Sequence, residues 1–372
     1  MSIEEFKEKM KRIQNALLEF LEDESNTEEN YENFVKTIAD YQINEDKQKV
    51  KSILQLINAI GNNHQRCHNF HNKIEKILEQ FKSDIQKYFS NLEIFELFKN
   101  SKRILLFLIE EKIIELNENI IPQITYEYTD YFWPEIKHFL NEEIIKNHPK
   151  KFIEEIMKEV PEDFYNKRKE GENDNYLCEL IRKNQVKEFG AYVNRNNISL
   201  KSSIERSVFE TNQLLVNKTD INLIEYASFY GSNDIIRYMR INGNVELTPN
   251  MWIFAIHSRN SELIKYLEDN HVSPPEDDYN EILKESIKCH HNDVSKYIID
   301  YLIKEKDPQN SFENNLYQYA VEFYNYCFFP ENMKHTNIFL YLCEYDYYSL
   351  VNLYLKEENI GINTTIKNIN IL

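Results

Sequence analysis

Leu223-Ile-Glu-Tyr-Ala-Ser-Phe-Tyr-Gly231-Ser-Asn-Asp-Ile-Ile236-Arg-Tyr-Met239 holds two short helices and a break within 17 residues. Ile224 and Ala227 share one helix face, Gly231 takes a left-handed turn conformation cheaply, and Ile235, Ile236 and Met239 form the apolar stripe of a second helix. The same offsets of +3, +4, +4, +1 and +3 recur in Trp252, Ala255, Arg259, Leu263, Ile264 and Leu267. They recur again in Leu283, Ser286, His290, Val294, Ser295 and Ile298. The small second residue lets antiparallel helices approach closely, the third ends the first helix, and the remaining three bury the second helix. A weaker unit, Cys178, Ile181, Gln185, Phe189, Gly190 and Val193, precedes these, and Phe339, Leu342, Asp346, Leu350, Val351 and Tyr354 follow. The step from 286 to 342 is 56 residues, twice the step of 28 from 227 to 255, which predicts a further unit near Tyr319-Ala320.

Steps of 28 and 31 residues are close to the roughly 33-residue ankyrin period. Thr248-Pro249 matches the Thr-Pro opening of an ankyrin repeat, a cap followed by Pro in the first turn. Ser207-Val-Phe-Glu-Thr-Asn212, Leu223-Ile-Glu-Tyr-Ala227 with Gly231, Lys284-Glu-Ser-Ile-Lys-Cys-His-His-Asn-Asp293 and Phe328-Phe-Pro330 carry a closer likeness. In these stretches the chain resembles a domain of unknown function associated with ankyrin repeats in large protist ankyrin-repeat protein families, over roughly residues 92–372. Such families run on into regular repeats with Thr-Pro-Leu-His-x-Ala, a signature this sequence does not contain up to Leu372. The resemblance implies partner binding and no catalytic activity.

Outside the repeats the pattern stays helical. Gly and Pro number only 6 and 9 in 372 residues, about a third of the roughly 12% usual in proteins, which starves hairpins and phosphate loops. Phe6, Met10, Ile13, Leu17, Phe20 and Leu21 line one face of a first helix; Tyr31, Phe34, Val35, Ile38 and Tyr41 line a second. Val50, Ile53, Leu54, Ile57 and Ile60 mark a third, stopped by Gly61-Asn62-Asn63, and Ile74, Ile77, Leu78, Phe81 and Ile85 a fourth. Shorter pieces follow at Ile94–Phe98 and Ile104–Glu111, at Trp133-Pro134-Glu135 to Ile145 with Pro134 in a first turn, and at Lys151–Val160. The expected architecture is all-α: an N-terminal helical bundle (1–91), degenerate helix pairs (92–165), a charged linker (166–174) and a degenerate ankyrin-like helix-pair solenoid (175–372).

Charge and composition narrow the function. Lys and Arg total 44 against 62 Asp and Glu, a net charge of −18 that opposes approach to a polyanion, so no nucleic-acid partner is expected. No segment approaches the roughly 18 apolar residues of a membrane span, so no membrane insertion is expected. The N-terminus lacks a signal-peptide pattern, and five dispersed cysteines include no C-x-x-C, which points to reduced thiols and a cytoplasmic location. The acidic run Glu19 to Glu32 could steer a basic partner.

Motifs of catalysis are missing: there is no G-x-S-x-G, no Gly-rich phosphate loop and no H-E-x-x-H, so neither an enzyme nor a cofactor is expected. His64, Cys67, His68 and His71, at i, i+3, i+4 and i+7, would form one stripe on a continuous helix and could hold a metal, the basis of an alternative reading as a metal-binding regulator or enzyme. Gly61-Asn62-Asn63 works against that by ending the helix. The leading expectation is an intracellular protein–protein interaction module, with Tyr226, Phe229, Phe254 and His257 looking outward from the first helices as part of the partner surface.

Overall fold

Every regular element among the residues described by the computed structural model (1–25, 27–42, 46–139, 160–304, 312–331 and 338–357) is a helix. The one extended pairing among them is an isolated antiparallel bridge between Ser203 and Asn222. The all-α expectation holds. The expected helix at Lys151–Val160 lies almost wholly outside the described residues. Contacts divide the chain into two units: Met1–Ile60 with Arg66–Ile74 and Tyr279 onward, and Gly61–Gln65 with Glu75–Asp278. Neither division falls at 92 or at 166–174.

Helix α1 (Ile3–Glu22) opens with a capping box in which the Ser2 hydroxyl accepts from the Glu5 N–H and the Glu5 carboxylate accepts from the Ser2 N–H. Its stripe of Phe6, Met10, Ile13, Leu17, Phe20 and Leu21 is buried, and it packs on α2 (Glu28–Ala39). Between them the Asp23 carboxylate accepts from the Thr27 hydroxyl and N–H, the Ser25 N–H and the Asn30 amide. The Thr27 contacts dominate in holding its carboxyl down at about 2. Part of the acidic run is thus committed to its own loop. Helices α3 (Lys47–Asn63) and α4 (Phe70–Gln80) bury their expected stripes, although α4 stops at Gln80 and α5 (Lys82–Tyr88) carries Ile85.

In the other unit, α6 (Asn91–Phe98) and α7 (Lys102–Glu110) are followed by α8 (Ile121–Ile136). Pro122 takes the first-turn place in α8, which corrects the expectation for Pro134; Pro134 lies in the last turn, beyond a break at Tyr128 (φ −136°, ψ 29°). The expected linker is also corrected. It overlaps helix α9 (Phe164–Glu170), ended by Gly171 at φ 71°, and Arg168 there is only 1% exposed. The Arg168 guanidinium grips the Glu135 carboxylate through two bonds of 2.8 Å and donates to the Tyr131 carbonyl at 3.1 Å. Arg168 is thus partnered inside the fold, whereas Lys169, Glu170 and Asp174 remain exposed.

Helix pairs then repeat. α10 (Tyr176–Arg182) turns into α11 (Val186–Arg195); after the short α12 (Gln213–Asn217) come α13 (Leu223–Phe229) with α14 (Asn233–Gly243) and α15 (Met251–His257) with α16 (Ser261–Asp269). First helices stack in the row α10, α13, α15, while α11 packs on α14. In the first-named unit, α17 (Asn280–Lys288) pairs with α18 (Asn292–Tyr297), which continues as a π-helical turn through Ile303. α19 (Glu313–Glu322) follows, then α20 (Ile338–Glu344) paired with α21 (Tyr348–Glu357). α17, α19 and α20 pack in sequence, and α1 packs against α21 and the turn at Tyr326–Phe328.

One turn recurs throughout. Asn184, Gly231, Arg259, His290, Tyr324 and Asp346 all have φ between 50° and 64°. In each case the next residue donates its N–H to the carbonyl five residues back: Gln185 to Leu180, Ser232 to Ala227, Asn260 to Ala255, His291 to Ser286, Asn325 to Ala320 and Tyr347 to Leu342, at 2.8–3.1 Å. This closure requires a left-handed residue, which is why the position ends the helix. In the first unit it falls at Asn184, one residue before the expected Gln185. Of the unit predicted near Tyr319-Ala320, the first helix, α19, and the turn at Tyr324 are present, followed among the described residues by the short turn Tyr326–Phe328.

Candidate functional site

Tyr226, Phe229, Phe254 and His257, expected to look outward, lie in the interior at 0%, 4%, 0% and 1% exposure. They sit where α13 meets α15. Phe229 stacks on the His257 ring at 4.4 Å and 18°, and meets Phe254 edge-on at 6.3 Å. The Asn212 amide is 3.3 Å from His257 Nε2. Tyr226 turns the other way, where its hydroxyl accepts from Arg182 Nη1 at 3.1 Å and burial raises its own ionisation well above the ordinary value. Arg182 also pairs with Glu172 at 2.6 Å and donates to the Asn173 carbonyl at 2.6 Å. As partner-facing residues these four are corrected: adjacent first helices pack so closely that the positions flanking the small residue become contacts between helix pairs.

The metal stripe is not formed. α3 ends at Asn63 and α4 starts at Phe70, leaving residues 64–69 outside both helices. Cys67, His68 and His71 are not among the described residues that converge as three or more possible ligands, and His64 does not converge with them. The Arg66 guanidinium lies 2.8 Å from His71 Nε2, so a fixed positive charge occupies the place beside that ring nitrogen.

An open face lies on the second helices instead. Between α14 and α16 runs a groove of about 220 Å³, floored by Ile236 and Leu263, each 2% exposed, and by half-buried Tyr266. Its rim is polar. Arg237 pairs with Glu262 and with Asp234, the latter at 3.1 Å, and the Asn233 amide donates to Glu262 at 2.8 Å. Lys265 and Asp269 complete the edge. Arg237, Asp234 and Glu262 are each more than half exposed, so these pairs reorganise at little cost. The partner surface was expected on the first helices, not on this face. The usable signal was the run of outward-facing positions that alternates with the buried stripe of each second helix.

Comparison of the chain with protein-family models, curated proteins and solved structures finds no match.

Proposed function

We propose that this chain is a non-catalytic protein-interaction module of the cytoplasm, built on a degenerate ankyrin-like solenoid, and that it holds a protein partner in the α14–α16 groove. The recurring left-handed turn carries the reading, because the same closure at six places is what a repeated helix–turn unit would produce. Side chains after the turns reinforce the stack. The Ser232 hydroxyl donates to the Ile181 carbonyl at 2.5 Å, and the Asn260 amide donates to the Gly231 carbonyl at 3.4 Å and the Asn233 side chain at 3.0 Å. The Asn325 amide donates to the Ile287 carbonyl at 3.0 Å.

An apolar floor inside a movable charged rim suits one inserted side chain with polar flanks. The net charge of −18 favours a basic partner by steering its approach. No described helix is long and apolar enough to cross a membrane, which agrees with a partner met in water. Affinity capture with the full chain tests the reading. Tyr266→Ala is expected to lower capture of a defined partner by about tenfold, equivalent to about 1.4 kcal/mol, with an unchanged melting temperature. Ile241→Ala, at an 82% exposed position away from the groove lining, serves as control. Equal loss in both variants, or none in either, removes the groove from the proposal.

A further inference from the structure

We propose that a cleft beside Lys102, separate from the α14–α16 groove, binds a small monocarboxylate with a short apolar tail. Lys102 is the first residue of α7 and is 8% exposed, yet it lines a cleft of about 180 Å³ within the unit containing Glu75–Asp278. Its ammonium donates to the Val208 carbonyl at 2.6 Å and lies 4.9 Å from the centre of the Tyr131 ring. No described carboxylate forms an ion pair with it. Lysine is rarely buried to this degree without a counter-charge, because desolvating the ammonium is costly, and beyond the bond to Val208 two of its three N–H donors remain for another acceptor.

The acid whose field reaches Lys102, Glu210, is committed elsewhere. Its Oε1 accepts from the N–H groups of Thr211 and Asn212 at 2.9 and 2.8 Å, and its Oε2 from the Asn173 N–H at 3.2 Å. Burial accordingly pulls Lys102 down to about 8 despite the field of Glu210. The lining also includes four aliphatic residues, Ile204, Leu215, Val216 and Ile221. Arg206 and Lys218 also line the cleft, against Glu210 and the exposed Asp220, so with Lys102 the lining carries a net positive charge that favours an anion. One buried ammonium and these aliphatic residues in a space well below the roughly 300 Å³ of ordinary ligand pockets select a short carboxylate over a larger or multiply charged ligand.

Titration calorimetry of the full chain with isobutyrate, phosphate and isobutanol tests this. Isobutyrate is expected to bind with a Kd of about 1 mM, and isobutanol and phosphate at least about tenfold more weakly. Lys102→Met should abolish the preference for isobutyrate while the helical spectrum is retained. In the unaltered chain, isobutyrate should also slow acetylation of Lys102, mapped by peptide, without slowing that of exposed Lys183. Equal binding of phosphate would reduce the cleft to an unselective anion site and overturn the proposal, as would isobutyrate affinity that survives Lys102→Met or an acetylation rate indifferent to isobutyrate.

Discussion

At the residue scale the most consequential side chain is Arg168. Beyond its fork on Glu135, it sits within 5.4–5.8 Å of the ring centres of Tyr131, Phe164 and Tyr165, and the Tyr131 hydroxyl returns a bond to the Arg168 carbonyl at 3.0 Å. Arg168→Ala would leave the Glu135 carboxylate, 19% exposed, without its partner and open a void among three rings. We expect a loss of about 3–5 kcal/mol in denaturant unfolding, with Arg168→Lys recovering only part because an ammonium cannot span both carboxylate oxygens. A loss below about 1 kcal/mol would mean that the pair is no stronger than an exposed one. Composition alone read this residue as part of a linker. Lys167-Arg168-Lys169 looks solvated until the acids that answer it, which are 33 residues away in the case of Glu135, are known.

At the element scale the turn governs. Left-handed backbone costs an ordinary residue about 1–2 kcal/mol and glycine almost nothing. Of the six turn residues only Gly231 is glycine, and a Cβ placed there would lie 2.9 Å from the Asn260 amide nitrogen that bridges to the preceding pair. Gly231→Ala should therefore cost about 1–2 kcal/mol in thermal or denaturant unfolding, from strain and from a displaced bridge. Arg259→Gly, by contrast, trades relief of strain against lost chain stiffness and should stay within about 0.5 kcal/mol. Similar losses in both would show that the turn conformation itself does not matter to stability. Five of the six turns keep residues that tolerate the conformation imperfectly, so their stability comes from the helices they join.

At the scale of the whole molecule, one unit draws on both the beginning and the later part of the chain. Gln14, fully buried in α1, donates to the Asn325 side chain at 2.9 Å and accepts from the Tyr326 N–H at 2.7 Å. Lys7 reaches the Pro330 carbonyl at 3.2 Å, and the Ile3 N–H donates to the Glu357 carboxylate at 2.8 Å. A fragment of residues 175–372 should consequently lose cooperative unfolding of its α17–α21 portion, followed by near-ultraviolet dichroism from Tyr326 and Tyr347. A fragment that melts as sharply as the full chain would refute this dependence. By itself the sequence determined that the protein is helical, where its apolar stripes lie and, for five of the repeat turns, the left-handed position to within one residue. Those features follow from 3.6-residue periodicity and from backbone preferences that act over a few residues. Only the tertiary structure decided that α1 completes the packing of the last helix pairs, that Arg168 is interior, and that Phe229 and His257 stack against each other. Apolar stripes are interchangeable in chemistry, and which one covers another depends on contacts between separate elements, some of them more than 300 positions apart, that no local spacing records.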